Sequence, residues 1–166
     1  GCTVEVFPSD TTAEELLEQN PDGIMLSPGP GDPELLGYTV KTVKDLLGRV
    51  PIMGICLGNQ VLAQALGGKT YKLKFGHRGA NHPVQDVSTG RVYITAQNHG
   101  YSIDPDSLPS EVEISHISMN DQTVEGIRHR SLPAMSIQYH SEASPGPKDN
   151  EYIFNRFLDM VREAKV

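Results

Sequence analysis

The sequence predicts an open α/β fold in which a mainly parallel sheet carries helices on both faces. Three features predict it. Short apolar runs alternate with helical patterns in the first half, glycine- and proline-rich loops follow apolar runs, and an amphipathic pattern covers roughly 149–163. Alternating strands and helices are typical of a parallel sheet covered by helices. The 166 residues, 37% of them hydrophobic, suffice for one domain with its own core.

Three strands are predicted in the first half of the chain. Residues 2–7 alternate in polarity and include β-branched side chains, which is typical of a strand. The runs at 22–27 and 50–55 are short and apolar, as in parallel strands buried on both faces. These runs follow helical patterns in the order that a parallel sheet requires.

Each predicted helix of the first half has its own start or stop signal. The helix over 33–49 has apolar residues at helical spacing and begins near Pro33. The helix over 57–68 ends at glycine. Before them, a short helix has two glutamates in its first turn. Four polar residues are alternatives for its cap: Ser9, Asp10, Thr11 and Thr12.

The second half is predicted to be rich in strands joined by short turns. The predicted strands are 69–75, 84–88, 91–97, 112–117, 123–128 and 134–139. A doubly wound sheet usually begins with a strand and a helix before a segment such as 2–7. We therefore expect residues 1–166 to be one domain that lacks its first strand and helix.

Composition excludes several classes of function. The formal net charge of −7 argues against a nucleic-acid partner and against an anionic membrane surface. No apolar stretch approaches the roughly 20 residues of a membrane span. Cys2 and Cys56 have no metal or disulfide spacing, which favours a reducing, cytoplasmic setting. His77 and His82, the closest histidine pair, are not expected to bind metal.

Cys56 lies in "MGICLG", between a predicted strand and a predicted helix. A strand, a nucleophile between Gly54 and Gly58, and a helix form the pattern of a nucleophile elbow. The glycines are needed because side chains there would collide with the neighbouring strand and helix. The helix N-terminus favours a thiolate, which is the nucleophilic form of cysteine. The alternative is a small buried hydrophobic residue, and Cys2 has no comparable setting.

A cysteine nucleophile needs a base, and the base needs an orienting group. His140 follows a predicted strand and Glu142 is two residues further on, so the carboxylate can hold the imidazole. An acyl-transfer site also needs donors for the developing oxyanion. The backbone N–H of Leu57 is one candidate, and the loop "SPGPGDP" with Gly29 and Gly31 is the other.

These residues resemble the class I glutamine amidotransferases, whose fold is flavodoxin-like. The resemblance rests on "SPGPGDP", "GICLGNQ" and the His140–Glu142 pair, and it covers almost the whole chain. Three further stretches look like the glutaminase domain of carbamoyl-phosphate synthetase small subunits. They are "KFGHRGANHPV", "ITAQNHGYSID" and "EASPGPKD".

The resemblance implies hydrolysis of the glutamine side-chain amide through a thioester on Cys56, with His140 and Glu142 completing a triad. It implies that the partner is a large synthetase subunit, which receives ammonia and makes carbamoyl phosphate. It also implies that this domain has no cofactor or metal of its own, since ATP and metal ions belong to the partner. Because the small subunit of this family carries a separate N-terminal domain, we expect residues 1–166 to lack that domain as well. The positions that match glutamine-binding residues are Gly29, Gly31, Leu57, Gln60, Asn98, Gly100 and Tyr101.

The chain departs from the family pattern at two positions. Asn59 stands where the family commonly has histidine, and Ser141 stands where it commonly has proline, which we expect to loosen the triad. Two alternatives remain. One is an amidotransferase of anthranilate, GMP or aminodeoxychorismate synthesis, against which the stretches at 74–84 and 94–104 argue. The other is a non-catalytic partner domain, against which the complete triad argues.

Overall fold

The computed structural model describes residues 1–142 and 148–165. Residues 143–147, within the predicted stretch "EASPGPKD", and Val166 lie outside the described residues. The helices are α1 (Ala13–Glu18), α2 (Gly37–Leu46), α3 (Leu57–Ala65) and α4 (Tyr152–Glu163). The strands are β1 (Ile24–Leu26), β2 (Ile52–Ile55), β3 (Lys69–Asp86), β4 (Val92–Asp104), β5 (Val112–Ser118), β6 (Val124–His129) and β7 (Ala134–Ile137).

The described strands form one sheet in the order β1-β2-β7-β6-β5-β3-β4. The β1–β2 and β2–β7 pairs are parallel, and the remaining four pairs are antiparallel. The predicted α/β fold class with helices is confirmed, whereas only two of the six described strand pairs are parallel. The sheet is mixed because the parallel strands, which alternate with helices in the sequence, occupy one end, while strands joined by short turns extend the other.

Helices cover both faces of the parallel end. Ile52 and Ala134 are paired in register and pack into a core cluster with residues of α1, α2 and α3. Their neighbours Met53 and Met135 point to the opposite face, where Ile153 of α4 belongs to the same core cluster. Alternate residues of a strand point to opposite faces, so the uninterrupted apolar runs of these strands serve two cores.

Strands β3 and β4 form a long hairpin that curls across the sheet. The strands predicted at 69–75 and 84–88 are parts of the single strand β3, and β4 continues past the predicted end at 97. Gly76 and Gly79 have φ of +71° and +130°, and register shifts lie beside both of them. Glycine adopts such angles without a steric penalty, so the polar stretch stays in the ladder through two bulges.

The strand predicted at 2–7 is wrong. Residues 1–8 have no regular secondary structure, and Val4 and Val6 are 77% and 92% exposed. β-propensity reflects packing against neighbouring strands, and this segment pairs with none of the described strands. Alternating polarity alone was therefore not sufficient to predict a strand in this segment.

The helix boundaries were predicted closely but not fully. Thr12 is the cap of α1, and its reciprocal hydrogen bonds with Glu15 form a capping box. The helix predicted over 33–49 begins as a 3-10 turn at Pro33–Leu35 and becomes α-helical only at Gly37. Within the described parts of the chain, every helix is too short or too polar to cross a bilayer.

Candidate active site

Cys56 occupies a strained turn between β2 and α3. It caps α3 with φ 53° and ψ −104°, and its N–H donates to the carbonyl oxygen of Ile137 at 2.9 Å. A non-glycine residue at such a φ costs roughly 1–3 kcal/mol and persists only where the surroundings hold it. The hydrogen bond to Ile137 provides one such restraint. The structure therefore places the thiol in the strained elbow that the sequence predicted.

The two flanking glycines are explained by close backbone contacts. A Cβ on Gly54 would collide with the backbone of Gly58, and a Cβ on Gly58 would collide with the carbonyl oxygen of Leu26. Strand β1, strand β2 and helix α3 thus approach each other at backbone distance around the thiol. This confirms the steric reason predicted for both glycines.

His140 lies beside the thiol, just after β7. Its N–H donates to the carbonyl oxygen of Ala96 at 2.9 Å, which fixes it next to β4. Its Nδ1 lies 2.7 Å from Oε1 of Glu142. The interaction with the sulfur of Cys56 and then the bond to Glu142 raise the pKa of His140 to about 10, against the effect of burial. The predicted imidazole–carboxylate pair is therefore formed, and it is formed next to the sulfur.

The second ring nitrogen of His140 and the carboxylate of Glu142 are also arranged for proton transfer. Nε2 of His140 is buried and has no hydrogen-bond partner among the described residues, which leaves it able to exchange a proton with the sulfur or a substrate. Burial works to raise the pKa of Glu142, but the bond to His140 outweighs it and the pKa is lowered. Ser141 is buried, and its hydroxyl has no partner within residues 1–142 and 148–165, yet the His140–Glu142 bond is intact.

A pocket of about 680 Å³ opens over Cys56 and His140. It is lined by the loop after β1, the start of α3 and the segment of β4 between residues 98 and 101. The structure brings all of the predicted binding residues to its wall: Gly29, Gly31, Leu57, Gln60, Asn98, Gly100 and Tyr101.

Two of these residues hold the pocket wall together. Nε2 of Gln60 donates to the carbonyl oxygen of Tyr101 and to Oε1 of Gln138, both at 3.0 Å. The hydroxyl of Tyr101 donates to Asp32 at 2.9 Å, which ties β4 to the "SPGPGDP" loop. Gln60 therefore positions the wall, since its amide nitrogen already donates to two protein oxygens.

Asn59 belongs to a buried network below the pocket. Its amide nitrogen donates to Oε1 of Gln138 at 2.9 Å, and its oxygen accepts from Ser136 at 2.8 Å. Asn59, Ser136 and Gln138 are fully buried, so these bonds link α3 to β7. The departure from the family's histidine is thus accommodated by a polar network of this chain.

Sequence reasoning missed three charged residues of the pocket, namely Asp32, Lys72 and Arg78. The carboxylate of Asp32 accepts from the N–H of Glu34 at 3.0 Å. Asp32 lies inside the "SPGPGDP" loop, which sequence analysis had already singled out, so its place in that motif could have identified it. Lys72 and Arg78 lie on β3 and reach the pocket only through the curl of the β3–β4 hairpin. No local pattern marks them.

The fold and the site together define an α/β domain in which a cysteine at a strained turn and a histidine paired with a carboxylate line one pocket. The family described as Glutamine amidotransferase class-I matches residues 1–160, and the chain belongs to this family.

Curated relatives share more than half of their aligned residues with this chain. A carbamoyl phosphate synthase small chain of Akkermansia muciniphila is 57% identical over 165 residues, which are 99% of this chain and 44% of the relative. One of Clostridium perfringens is 60% identical over 158 residues, 95% of this chain and 45% of the relative. The chain thus spans less than half the length of these relatives.

Solved structures show the same fold at low identity. A putative GMP synthase component of Thermoplasma acidophilum superposes with a TM-score of 0.81 at 24% identity, covering 97% of this chain and 82% of that one. A glutamine amidotransferase of Thermotoga maritima gives 0.65 at 22% identity, covering 89% and 67%. These likenesses concern the fold alone.

Proposed function

We propose that this chain hydrolyses the side-chain amide of glutamine and supplies the ammonia to a large synthetase subunit that makes carbamoyl phosphate. The observation that carries the proposal is that Cys56 and His140 line one pocket, with Nδ1 of His140 bound to Glu142. The names of the 53–60% identical relatives support the choice of product. The reaction needs a free thiol, which fits a reducing compartment such as the cytoplasm.

In the proposed reaction the sulfur of Cys56 attacks the carbonyl carbon of the amide. His140 gives its proton to the leaving nitrogen, and ammonia departs as a thioester forms. Water then attacks the thioester with His140 as base, releasing glutamate and restoring the thiol. Glu142 keeps the ring oriented and stabilises its cationic form. No cofactor of this domain enters these steps, and ATP and metal ions act on the partner.

The oxyanion of each tetrahedral intermediate needs donors. The first N–H groups of a helix have no partner within the helix, so the N–H of Leu57 at the start of α3 is available beside the nucleophile. The loop with Gly29 and Gly31 faces the same pocket and offers the second donor. Lys72 and Arg78 provide positive charge for the α-carboxylate of glutamine.

The proposal is tested with 6-diazo-5-oxo-norleucine, a glutamine analogue that alkylates activated thiols. We expect one adduct on Cys56 by mass spectrometry and none on Cys2, which is exposed. A small neutral thiol reagent serves as the control for access to Cys56. Labelling of Cys56 by that reagent without any adduct from the analogue would contradict the catalytic role.

The partner is tested separately. We expect glutamate release to rise when a large synthetase subunit is present, because ammonia released without an acceptor is wasted. In the complex, Cys56→Ser should abolish carbamoyl phosphate synthesis from glutamine while synthesis from added ammonia persists. Equal glutamate release with and without the large subunit would contradict the coupling but leave glutamine hydrolysis standing.

A further inference from the structure

We propose that the chain binds a divalent transition-metal ion, with Zn²⁺ the first to test, between His77, His99 and Glu125. These residues come from three strands, since His77 on β3 is paired in register with His99 on β4 and Glu125 lies on β6. The cluster lies outside the triad, and this proposal does not depend on the reaction proposed above.

Three ligand atoms converge in the interior. Oε1 of Glu125 lies 3.4 Å from Nδ1 of His77 and 3.9 Å from Nε2 of His99, and all three atoms lie within 4.8 Å of one another. The side chains are 0%, 11% and 2% exposed respectively. All three atoms are buried, and none of them has a hydrogen-bond partner among the residues that the structure describes. Buried polar atoms are normally satisfied, so this convergence needs an explanation.

In each ring the nitrogen that points away from the cluster, here called the outer nitrogen, already has a hydrogen-bond partner. The nitrogen that faces the cluster is the inner nitrogen. Nε2 of His77 lies 2.8 Å from a carboxylate oxygen of Asp121, and Nδ1 of His99 lies 2.8 Å from the carbonyl oxygen of Tyr101. Both partners only accept hydrogen bonds, so each outer nitrogen carries the proton. In a neutral ring the inner nitrogen then presents a lone pair. When both rings are neutral, two lone pairs and a carboxylate oxygen face one another, and no donor from the described residues lies between them.

This is the arrangement that metal-binding histidines require. Such histidines donate their second N–H to a carboxylate or backbone carbonyl, which fixes the tautomer. The carboxylate of the cluster is held in the same way, because Gln97 donates to its other oxygen at 2.8 Å. Ligands about 2.1 Å from zinc stand roughly 3.4 Å apart in tetrahedral geometry. The separations of 3.4 and 3.9 Å from Glu125 therefore need to contract by at most about half an ångström, and the two nitrogens, which lie within 4.8 Å, need to approach by at most about 1.4 Å.

A proton is the competing occupant. A proton on Nδ1 of His77 would face Oε1 of Glu125, 3.4 Å away. The ring of His99 already donates from Nδ1 to the carbonyl oxygen of Tyr101. Its inner nitrogen would still have no donor. A proton thus satisfies two of the three atoms, and a cation satisfies all three.

The ion would be linked to the pocket through one backbone group. The carbonyl oxygen of Tyr101 accepts from His99 at 2.8 Å and from Gln60 at 3.0 Å. A metal ion on His99 would hold β4 against β6 and fix the segment that forms the pocket wall. Its effect on the site is therefore one of positioning.

The test uses the metal-free full chain with Cys56→Ser, because a thiolate beside His140 could itself bind zinc. Titration with Zn²⁺ in a calorimeter should show one equivalent with a Kd on the order of 1 μM or lower. Co²⁺ in its place should give the visible absorption of a tetrahedral site. Absence of Zn²⁺ binding by this chain would overturn the proposal.

Two variants in the same background locate the ion. Glu125→Gln and His77→Gln should each weaken Zn²⁺ binding at least about tenfold. The second glutamine can keep the bond to Asp121 while removing the inner nitrogen. His129→Asn is the matched control, since His129 lies outside the cluster and its Nδ1 accepts from backbone N–H groups that an asparagine oxygen can replace. Unchanged affinity in His77→Gln would contradict the site, even if Glu125→Gln failed to fold.

Discussion

Two histidine–carboxylate pairs in this molecule have opposite protonation states. Nδ1 of His140 lies 2.7 Å from Glu142, and the pKa of His140 is raised to about 10. Nε2 of His116 lies 4.0 Å from Asp86, and the pKa of His116 is lowered to about 4, chiefly by burial. At neutral pH the first ring is a cation and the second is neutral.

The difference lies in what else contacts each pair. His140 is partly exposed and has the sulfur of Cys56 on its other side. His116 is 1% exposed, and its carboxylate partner is already shared with Arg156 at 2.7 Å. A histidine beside a carboxylate is therefore a proton-transfer group only where solvent or substrate can reach it and no other cation neutralises the carboxylate.

The largest expected effect is a loss of activity when His140, but not His116, is replaced. His140→Asn should lower kcat/KM for glutamine by about 10³-fold, because it removes the proton acceptor and donor. His116→Asn should keep activity per folded molecule within about threefold. Steady-state glutamate release, normalised to the folded fraction by circular dichroism, measures both. Comparable losses in the two variants would break the distinction.

The next effect concerns the carboxylate of the active pair. Glu142→Gln should lower kcat by about 10²-fold and lower the pKa of His140, since one of the two groups that raise it loses its charge. NMR titration of the ring follows the pKa directly. A pKa that stays near 10 would mean that the sulfur alone holds the charge on His140.

The pair of His116 and Asp86 should affect the stability of the fold and not its activity. Hydrogen bonds from Ser88 and the charge of Arg156, joined in acid by the charge of His116, outweigh burial and lower the pKa of Asp86 to about 2. A depressed carboxyl pKa stabilises the fold above the unfolded value near 4, and this contribution is lost as pH falls towards 2. Asp86→Asn should therefore cost about 2 kcal/mol at pH 7 and progressively less between pH 4 and 2. Urea unfolding at several pH values measures it, and a pH-independent difference would contradict it.

The smallest effect is expected from Ser88→Ala. Its hydroxyl donates to Asp86 at 2.6 Å, and loss of this bond should cost about 1 kcal/mol of unfolding free energy at pH 7. The backbone N–H of Ser88 still donates to the same oxygen at 2.9 Å, which limits the loss. Thermal unfolding with wild type as reference checks it. A loss as large as that of Asp86→Asn would mean that Ser88, and not Arg156, dominates the pair.

Local patterns predicted the elbow well because its chemistry is local. The apolar run, Gly54, Cys56, Gly58 and the helical pattern follow one another in the chain, and close packing of adjacent elements needs those residue types. The pair His140–Glu142 was found for the same reason, since its members are two residues apart. The seven residues that the family resemblance assigned to glutamine binding likewise line the pocket.

Where partners are distant in sequence, the patterns failed. Residues 2–7 alternate as a strand does, yet they pair with none of the described strands. Lys72 and Arg78 lie on a strand whose path depends on two bulges. His77 and His82 were considered as a pair because they are neighbours, whereas His77 converges with His99 and Glu125 from other strands.

The sequence by itself was thus sufficient to predict the class of fold, the strained turn at Cys56 and the pairing of His140 with Glu142. Backbone sterics and short-range hydrogen bonds act between neighbours in the chain, so they leave local patterns. Folding in three dimensions was needed for the curl of β3 and β4, the charged wall of the pocket and the buried cluster of His77, His99 and Glu125. Those features depend on burial and on contacts between remote strands, and burial sets which histidines keep their charge.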